Sequence, residues 1–203
     1  TKYTLGGEIK STKWTSNGDS LSTRFISGDK SVVGKVVLSK FSHLSPCELG
    51  VYNTGQLSSL LSVLGDDIDI NLSQSGDKFI SMEFEDTKRK TKSKYMLSDL
   101  SVIPTPPALK NLPDSFELGI KVDPYFINTF TSGKSALAEA ETFTILTEGG
   151  KTKIVIGYAS IASNRVTIPV ETTKSADIEP ISFNANMFAS ILNANKDCES
   201  ATL

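Results

Sequence analysis

The segment ELGVYNTGQLSSLLSVLGDDIDINL, Glu48 to Leu72, carries the clearest structural signals of the chain. Asn53 is a preferred helix N-cap, and Gln56 follows three residues later, close to a capping box. A stripe of leucines then recurs at helical spacing: Leu57, Leu60, Leu61 and Leu64. We expect Gly65 to end this helix, and residues 67–72 alternate as a strand does. The segment therefore predicts a helix followed by a strand.

The same pattern recurs 131 residues later. Asn184 falls on Asn53, and Leu203 falls on Leu72. The inner stripe of the second helix consists of Phe188, Ile191 and Leu192. Allowing one residue of slippage, the turn at Asn17-Gly18 also falls on the turn at Gly149-Gly150. The repeat predicts two copies of one β-rich unit with two helices. Two unrelated strand-helix units are the alternative.

The repeat also bears on the ends of the chain. Asp123 and Pro124 form a helix N-cap and N1 pair, and the counterpart of that helix would lie before residue 1. The counterparts of two strands, 78–84 and 92–97, would lie beyond Leu203. We therefore expect the first copy to lack its first helix, the second to lack its last strands, and the chain to be part of a longer protein.

Alternating or continuous apolar runs predict the remaining strands. They are 20–27 and 31–38 in the first half, and 142–146, 151–158 and 164–170 in the second. Four of the eight prolines fall between Pro104 and Pro113, where they block helix and central strand alike. The predicted organisation is a first domain over 1–100, a connector over 101–115 and a second domain over 116–203.

Composition excludes several classes of protein. The chain has 203 residues, enough for a core without disulfides, and its two cysteines form no metal-binding pair. No apolar run approaches the roughly 20 residues that cross a bilayer, so no membrane partner is expected. The formal net charge of −2 argues against a protein that holds nucleic acid by bulk positive charge.

Motifs for catalysis and metal binding are weak. His43 is the single histidine, so a catalytic triad or a multi-histidine site cannot be built. Gly133-Lys134-Ser135 lacks the first glycine of a phosphate loop, because Asn128 stands there. Three acidic residues, Asp66, Asp67 and Asp69, fit a turn entering a strand better than a cation site. The sequence predicts no catalytic residue, no metal and no cofactor.

Tandem units of strand, amphipathic helix and further strands, joined by a proline-bearing connector, are the plan of DNA sliding clamps. Residues 48–72 resemble the corresponding segment of the clamps of T-even-type bacteriophages. The similarity extends more faintly to SVIPTPPAL, IKVDPYFINTF and ISFNANMFASIL. The resemblance implies an α+β DNA clamp fold, in which two tandem β-rich units each pack amphipathic helices on one side of antiparallel sheet.

The resemblance also implies a function. Such clamps are non-enzymatic, homotrimeric rings that encircle duplex DNA without sequence preference and tether the replicative DNA polymerase. Their partners are the polymerase and a clamp loader, and a phage-encoded clamp works in the host cytoplasm. A ring holds DNA topologically, so near-neutral charge suits it. The alternative is a β-rich phage structural or receptor-binding module, which the same composition would serve.

Two groups of basic residues are candidates to face DNA. By analogy with clamps, we expect Lys121, Lys134 and Lys196 to face DNA; they lie at or just beyond the ends of the second-domain helices. The densest charge run is a predicted hairpin tip with Lys88, Arg89, Lys90, Lys92 and Lys94. The alternative for both groups is a solvated surface, balanced at the hairpin by Glu83, Glu85 and Asp86.

The connector is the candidate site for a partner peptide. Clamp partners insert a short hydrophobic tail near the interdomain junction, and a few apolar anchors dominate such contacts. The apolar residues flanking the prolines are Val102, Ile103, Leu109 and Leu112. The alternative is that they pin the connector to the sheets.

Overall fold

The structure, a computed structural model, describes residues 4, 5, 8–108, 115–159, 163–198 and 201–203. The chain divides into two compact units, residues 1–110 and 111–203, and the division falls inside the predicted connector. Each unit combines antiparallel sheet with helices, which confirms the predicted α+β class. Among the described residues, no helix combines the length and apolar character needed to cross a bilayer.

The described residues of unit 1 form two antiparallel sheets and one α-helix. The first sheet has the order β3-β2-β1-β4, with β1 Thr12–Ser16, β2 Ser20–Ile26, β3 Val33–Ser39 and β4 Cys47–Val51. Helix α1 spans Thr54–Leu61. The second sheet has the order β5-β6-β7, with β5 Ile68–Ser75, β6 Lys78–Asp86 and β7 Lys92–Met96. A short 3-10 helix, Leu100–Val102, follows.

Unit 2 begins with β8 Gly119–Val122 and α2 Pro124–Ala136. Its four-stranded sheet has the order β11-β10-β9-β13, with β9 Thr142–Glu148, β10 Lys151–Ile156, β11 Val166–Pro169 and β13 Ile181–Asn184. Helix α3 spans Ala185–Ala194. A three-stranded sheet has the order β12-β8-β14, with β12 Thr172–Lys174 and β14 Ala201–Thr202.

The four-stranded sheets of the two units repeat one topology. In each, the order is third, second, first and fourth strand, and a helix follows the fourth strand directly. A hydrogen bond also repeats at the 131-residue offset. The Thr54 N–H donates to the Lys10 carbonyl at 3.0 Å, and the Ala185 N–H donates to the Glu141 carbonyl at 2.8 Å. The chain therefore contains two tandem units of one plan, as the sequence predicted.

The α-helices α1, α2 and α3 begin at the predicted caps. The side chains of Asn53, Asp123 and Asn184 each accept a backbone N–H three residues on, at 2.9, 2.8 and 2.8 Å respectively. The return bond of a capping box is absent at α1, because the Asn53 N–H donates to the Tyr95 hydroxyl instead, at 2.9 Å. Tyr95 thus ties the start of α1 to β7.

The predicted end of α1 is wrong. The helix stops at Leu61 with a C-cap at Ser62, short of Gly65. The Gly65 N–H donates to the Asp86 carboxylate at 2.8 Å, an interaction that holds the α1–β5 loop against the end of β6. A carboxylate distant in sequence therefore holds the loop that follows the helix.

Each unit has its own hydrophobic core. The core of unit 1 includes Leu49, Val51, Leu57, Met82, Phe84 and Tyr95. The core of unit 2 includes Phe126, Phe130, Phe143, Ile154, Ile156 and Leu192. Trp14 is half-buried in β1 against the first core, as expected for a strand aromatic.

Candidate nucleic-acid interface and peptide cleft

The predicted basic hairpin tip joins β6 and β7, and we call residues 86–94 the basic hairpin. The two strands pair antiparallel with Glu83 opposite Lys94 and Glu85 opposite Lys92. The turn between them places Lys88, Arg89 and Lys90 at its tip, all exposed. The fold therefore brings the five predicted hairpin cations together.

Carboxylates face four of these five cations. Lys94 lies 2.8 Å from Glu83, and Lys92 lies 2.9 Å from Glu85. Lys90 lies 3.8 Å from Glu85, and Lys88 lies 3.9 Å from Asp67. The hydrogen bond from Lys94 holds the pKa of Glu83 below its usual value, and that from Lys92 does the same for Glu85. Exposed ion pairs of this kind are weak, so a phosphate can compete for these lysines.

Asp86 organises the tip of the basic hairpin. Its side chain is 2% exposed and accepts the backbone N–H groups of Lys88 at 2.9 Å, Arg89 at 2.7 Å and Gly65 at 2.8 Å. These backbone donors, led by Arg89, hold the pKa of Asp86 below its usual value. The sequence indicates Asp86 only as a charge that balances the hairpin cations; its role as an acceptor depends on contacts with the turn and with a loop 21 residues away.

Lys121 and Lys196 are exposed in unit 2. Lys121 lies on β8, and its ammonium contacts Glu171 at 3.1 Å, which raises the pKa of Lys121. Lys196 follows the end of α3. Both side chains are placed where a solvent-borne phosphate can reach them.

Lys134 does not fit the prediction that it faces DNA. The residue is 8% exposed, and its ammonium donates to the Ala138 carbonyl at 2.8 Å and to the Leu137 carbonyl at 3.4 Å. A cation at this position satisfies carbonyls left free at the end of α2 and complements the helix dipole. Helical periodicity alone could not reveal that the side chain turns back onto its own helix end.

A cleft of about 450 Å³ lies in unit 1 beside the start of the predicted connector. Its lining includes Gly50 of β4, Phe79 and Ile80 of β6, and Leu97. At one wall, the Asp99 carboxylate accepts hydrogen bonds from the ammonium of Lys78 and from the backbone N–H of Ser101. These hydrogen bonds lower the pKa of Asp99. The cleft thus combines an apolar lining with a charged rim.

The predicted peptide-binding residues lie elsewhere. Val102 is 56% exposed and Ile103 is 3% exposed, and neither lines this cleft. Ile103 packs beside Gly50, which matches the alternative that it pins the connector. Leu109 and Leu112 lie outside the described residues.

Arg24 makes a further contact to the connector, which no sequence pattern predicts. The Arg24 guanidinium on β2 donates to the carbonyl oxygens of Pro106 and Pro107. Arg24 lies 82 and 83 positions before these prolines in sequence. No local sequence pattern links residues so far apart, so only the tertiary structure identifies this anchor.

Two tandem α+β units, each built from antiparallel sheets with helices, define the class of fold: this is the PCNA clamp fold. A solved structure of PCNA from Thermococcus kodakaraensis aligns with a TM-score of 0.68 and 13% identity, covering 99% of this chain and 82% of that one. Proliferating Cellular Nuclear Antigen from Entamoeba histolytica aligns with a TM-score of 0.64 and 16% identity, covering 100% of this chain and 82% of that one.

No family model and no curated protein sequence matches the chain. The similarity at 13% and 16% identity therefore concerns the fold alone. Within the described part of the chain, no group of three His, Cys, Asp or Glu side chains is arranged to hold a metal ion.

Proposed function

We propose that this protein is a sliding clamp for a DNA polymerase. Three copies form a ring around duplex DNA, and the ring tethers the replicative polymerase for processive synthesis. The protein is a non-enzymatic scaffold without a cofactor, it is placed on DNA by a clamp loader, and it is phage-encoded and works in the host cytoplasm. The observation that carries the proposal is the PCNA clamp fold over 99% of the chain.

The charge distribution supports a ring that slides. Each cation that neutralises a phosphate adds to affinity and to its salt dependence, so a sliding protein benefits from few and weak contacts. The net charge is −2, and four of the five hairpin cations form ion pairs with carboxylates. Retention on DNA then comes from the closed ring and not from a strong electrostatic grip.

The five cations of the basic hairpin, together with Lys121 and Lys196, are the proposed DNA-facing groups. All seven side chains are exposed, and the ion pairs that some of them form with carboxylates are exchangeable. Lys134 is left out, because its ammonium is engaged at the end of α2.

Edge strands provide the surfaces for ring assembly. Among the described residues, each sheet ends in strands with one unpaired edge, including β7 in unit 1 and β11 in unit 2. An unpaired edge is a template for a strand of another chain, and head-to-tail contacts close into rings when the rotation allows. We propose that an edge of unit 1 pairs with an edge of unit 2 in the next copy.

Retention on circular DNA tests the proposal. The protein is mixed at micromolar concentration with a linear duplex, onto which a closed ring can thread from either end. The duplex is then ligated into a circle or left linear, and each mixture is gel-filtered in high salt. We expect a protein mass of three times 21.9 kDa by light scattering, with retention on the circle and loss from the linear duplex. A clean monomer, or equal retention on both forms, would contradict the proposal.

We propose further that the hydrophobic tail of the polymerase binds at the connector. The cleft containing Ile80 and the connector residue Val102 are rival positions for this tail. Ile80 is 39% exposed and Val102 is 56% exposed, so both tolerate a charge better than a core residue would. Loss of tail-peptide binding in Ile80→Asp but not in Val102→Asp places the tail in the cleft, and the reverse places it on the connector. Binding by both variants at wild-type affinity would exclude both positions.

A further inference from the structure

One face of the four-stranded sheet of unit 1 carries three cations in a single cross-strand row, which we call the basic row. Lys13 on β1 lies directly opposite Arg24 on β2, and Arg24 lies directly opposite Lys35 on β3. Side chains directly opposite each other point to the same face of a sheet. Successive side chains alternate between faces, so Trp14, which packs on the core, points the other way. The basic row therefore lies on the face turned away from the core of unit 1.

Side chains of the described residues do not neutralise the basic row. In that part of the chain, none of Lys13, Arg24 and Lys35 forms an ion pair. Glu48 on β4 belongs to the next cross-strand row, opposite Thr15. Arg24 donates to backbone carbonyls of the connector instead. Like charges directly opposite each other destabilise a sheet, so the basic row lowers the stability of unit 1 unless an anion binds it.

Unit 2 shows that the fold does not require these cations. At the 131-residue offset, Lys13 and Arg24 correspond to Thr144 and Val155, and Thr167 completes that row. All three side chains of the unit 2 row are neutral. A neutral row therefore supports the same sheet, and the cations of unit 1 are explained by something other than folding.

The connector lies beside the basic row without neutralising it. Gly50 continues the row onto β4, opposite Lys13, and Ile103 of the connector packs beside Gly50. Arg24 contacts the connector three residues further on, at the Pro106 carbonyl. Two strand spacings, about 9.6 Å, separate Gly50 from Arg24, and three residues of polyproline-like chain cover about 9.3 Å. The connector therefore runs along the row, and in this stretch it carries no charged side chain.

The size and the surroundings of the basic row favour a protein ligand. Lys13 and Lys35 are two strand spacings apart, roughly 10 Å. That is a small footprint for a nucleic acid, whose affinity grows with the number of phosphates neutralised. The neighbouring row on the same face is aliphatic, with Ile26 opposite Val33. Charged and apolar side chains next to each other suit a segment of protein that carries both.

We propose that the basic row binds an acidic segment of a partner protein. Carboxylates of this segment pair with the ammonium groups of Lys13 and Lys35 beside the connector, and they relieve the repulsion within the row. This docking goes beyond the proposed role on DNA and does not depend on ring formation.

Fluorescence anisotropy with a labelled hexaglutamate peptide tests the proposal on the whole protein. We expect saturable binding at low ionic strength that weakens as salt is added, because exposed ion pairs are screened. The double variant Lys13→Gln, Lys35→Gln should weaken binding by about five- to tenfold, since it removes two exposed ion pairs with the peptide. Lack of saturable binding to the wild type would overturn the proposal.

A second double variant, Lys151→Gln, Lys174→Gln, is the matched control. It removes two exposed strand lysines of unit 2, neither of which is paired with a described carboxylate. Equal weakening by the two double variants would mean that net charge alone governs binding, and it would overturn the proposal. So would an equal loss of affinity for a duplex oligonucleotide in the Lys13, Lys35 variant, because the basic row would then bind nucleic acid.

Thermal unfolding separates this role from a structural one. Removing two of three like charges should leave the unfolding midpoint of the Lys13, Lys35 variant unchanged or raise it. A lower midpoint would show that the lysines stabilise the sheet, which would also overturn the proposal. All these readouts are independent of ring formation and of retention on DNA.

Discussion

Tyr95→Phe tests how the start of α1 is tied to the sheet. The Tyr95 side chain is 4% exposed, and its hydroxyl accepts the Asn53 N–H at 2.9 Å and donates to the Asn53 carbonyl at 3.3 Å. The substitution keeps the ring in the core and removes both hydrogen bonds. An unmade hydrogen bond costs roughly 1–3 kcal/mol when the remaining group is buried. Because Asn53 is exposed, water can reach its backbone, and we expect a loss near the lower limit, about 1 kcal/mol.

The measurement is urea unfolding followed by the emission of Trp14, which lies in unit 1 together with Tyr95. The midpoint should fall while the slope of the transition stays unchanged. Tyr52→Phe is the matched control, since Tyr52 is 59% exposed and adjoins Asn53 in sequence. A loss no larger than in the control would refute the role of the hydroxyl. A loss above about 3 kcal/mol would show that the ring, and not the hydrogen bonds, had been disturbed.

Three further predictions concern the hairpin, the connector and a loop. Arg89 is the hairpin cation without an ion pair to any described residue, so Arg89→Ser should reduce the salt slope of DNA binding by about 1. Lys94→Ser, which leaves Glu83 unpaired, should change that slope by a different amount. Equal slopes in wild type and the Arg89 variant would exclude a phosphate contact. A side chain at Gly50 would collide with the Ser98 carbonyl, so Gly50→Ala should increase amide exchange at Ser98, whereas Gly28→Ala, with open space around it, should not. Hydrogen bonds from Ser27 and Ser31 lower the pKa of Asp29 to about 2. Their stabilising contribution is therefore present above the unfolded pKa, near 4, and is lost as pH falls towards 2. An Asp29→Asn variant should lose less stability than wild type over that interval, and parallel acid titrations of the two proteins would contradict this.

Local chemistry explains the parts of the fold that sequence analysis predicted. A cap and its apolar stripe lie within one or two turns of chain, so the starts of α1, α2 and α3 follow from Asn53, Asp123 and Asn184. The pattern of apolar and polar residues likewise predicted strands at β2, β5, β6 and β10. Short, half-buried strands such as β8 and β12 carry too few residues for a clear period, and they were missed.

The candidate site shows the same division. The sequence alone determined a two-fold repeat, three helix starts and the clustering of five cations at a hairpin, because each depends on neighbours along the chain or on a regular offset. Only the tertiary structure decided that Lys134 turns inward, that Asp86 supports the turn, and that Arg24 anchors the connector. Those outcomes depend on which distant groups become neighbours, and burial and hydrogen bonding act only once the chain has folded.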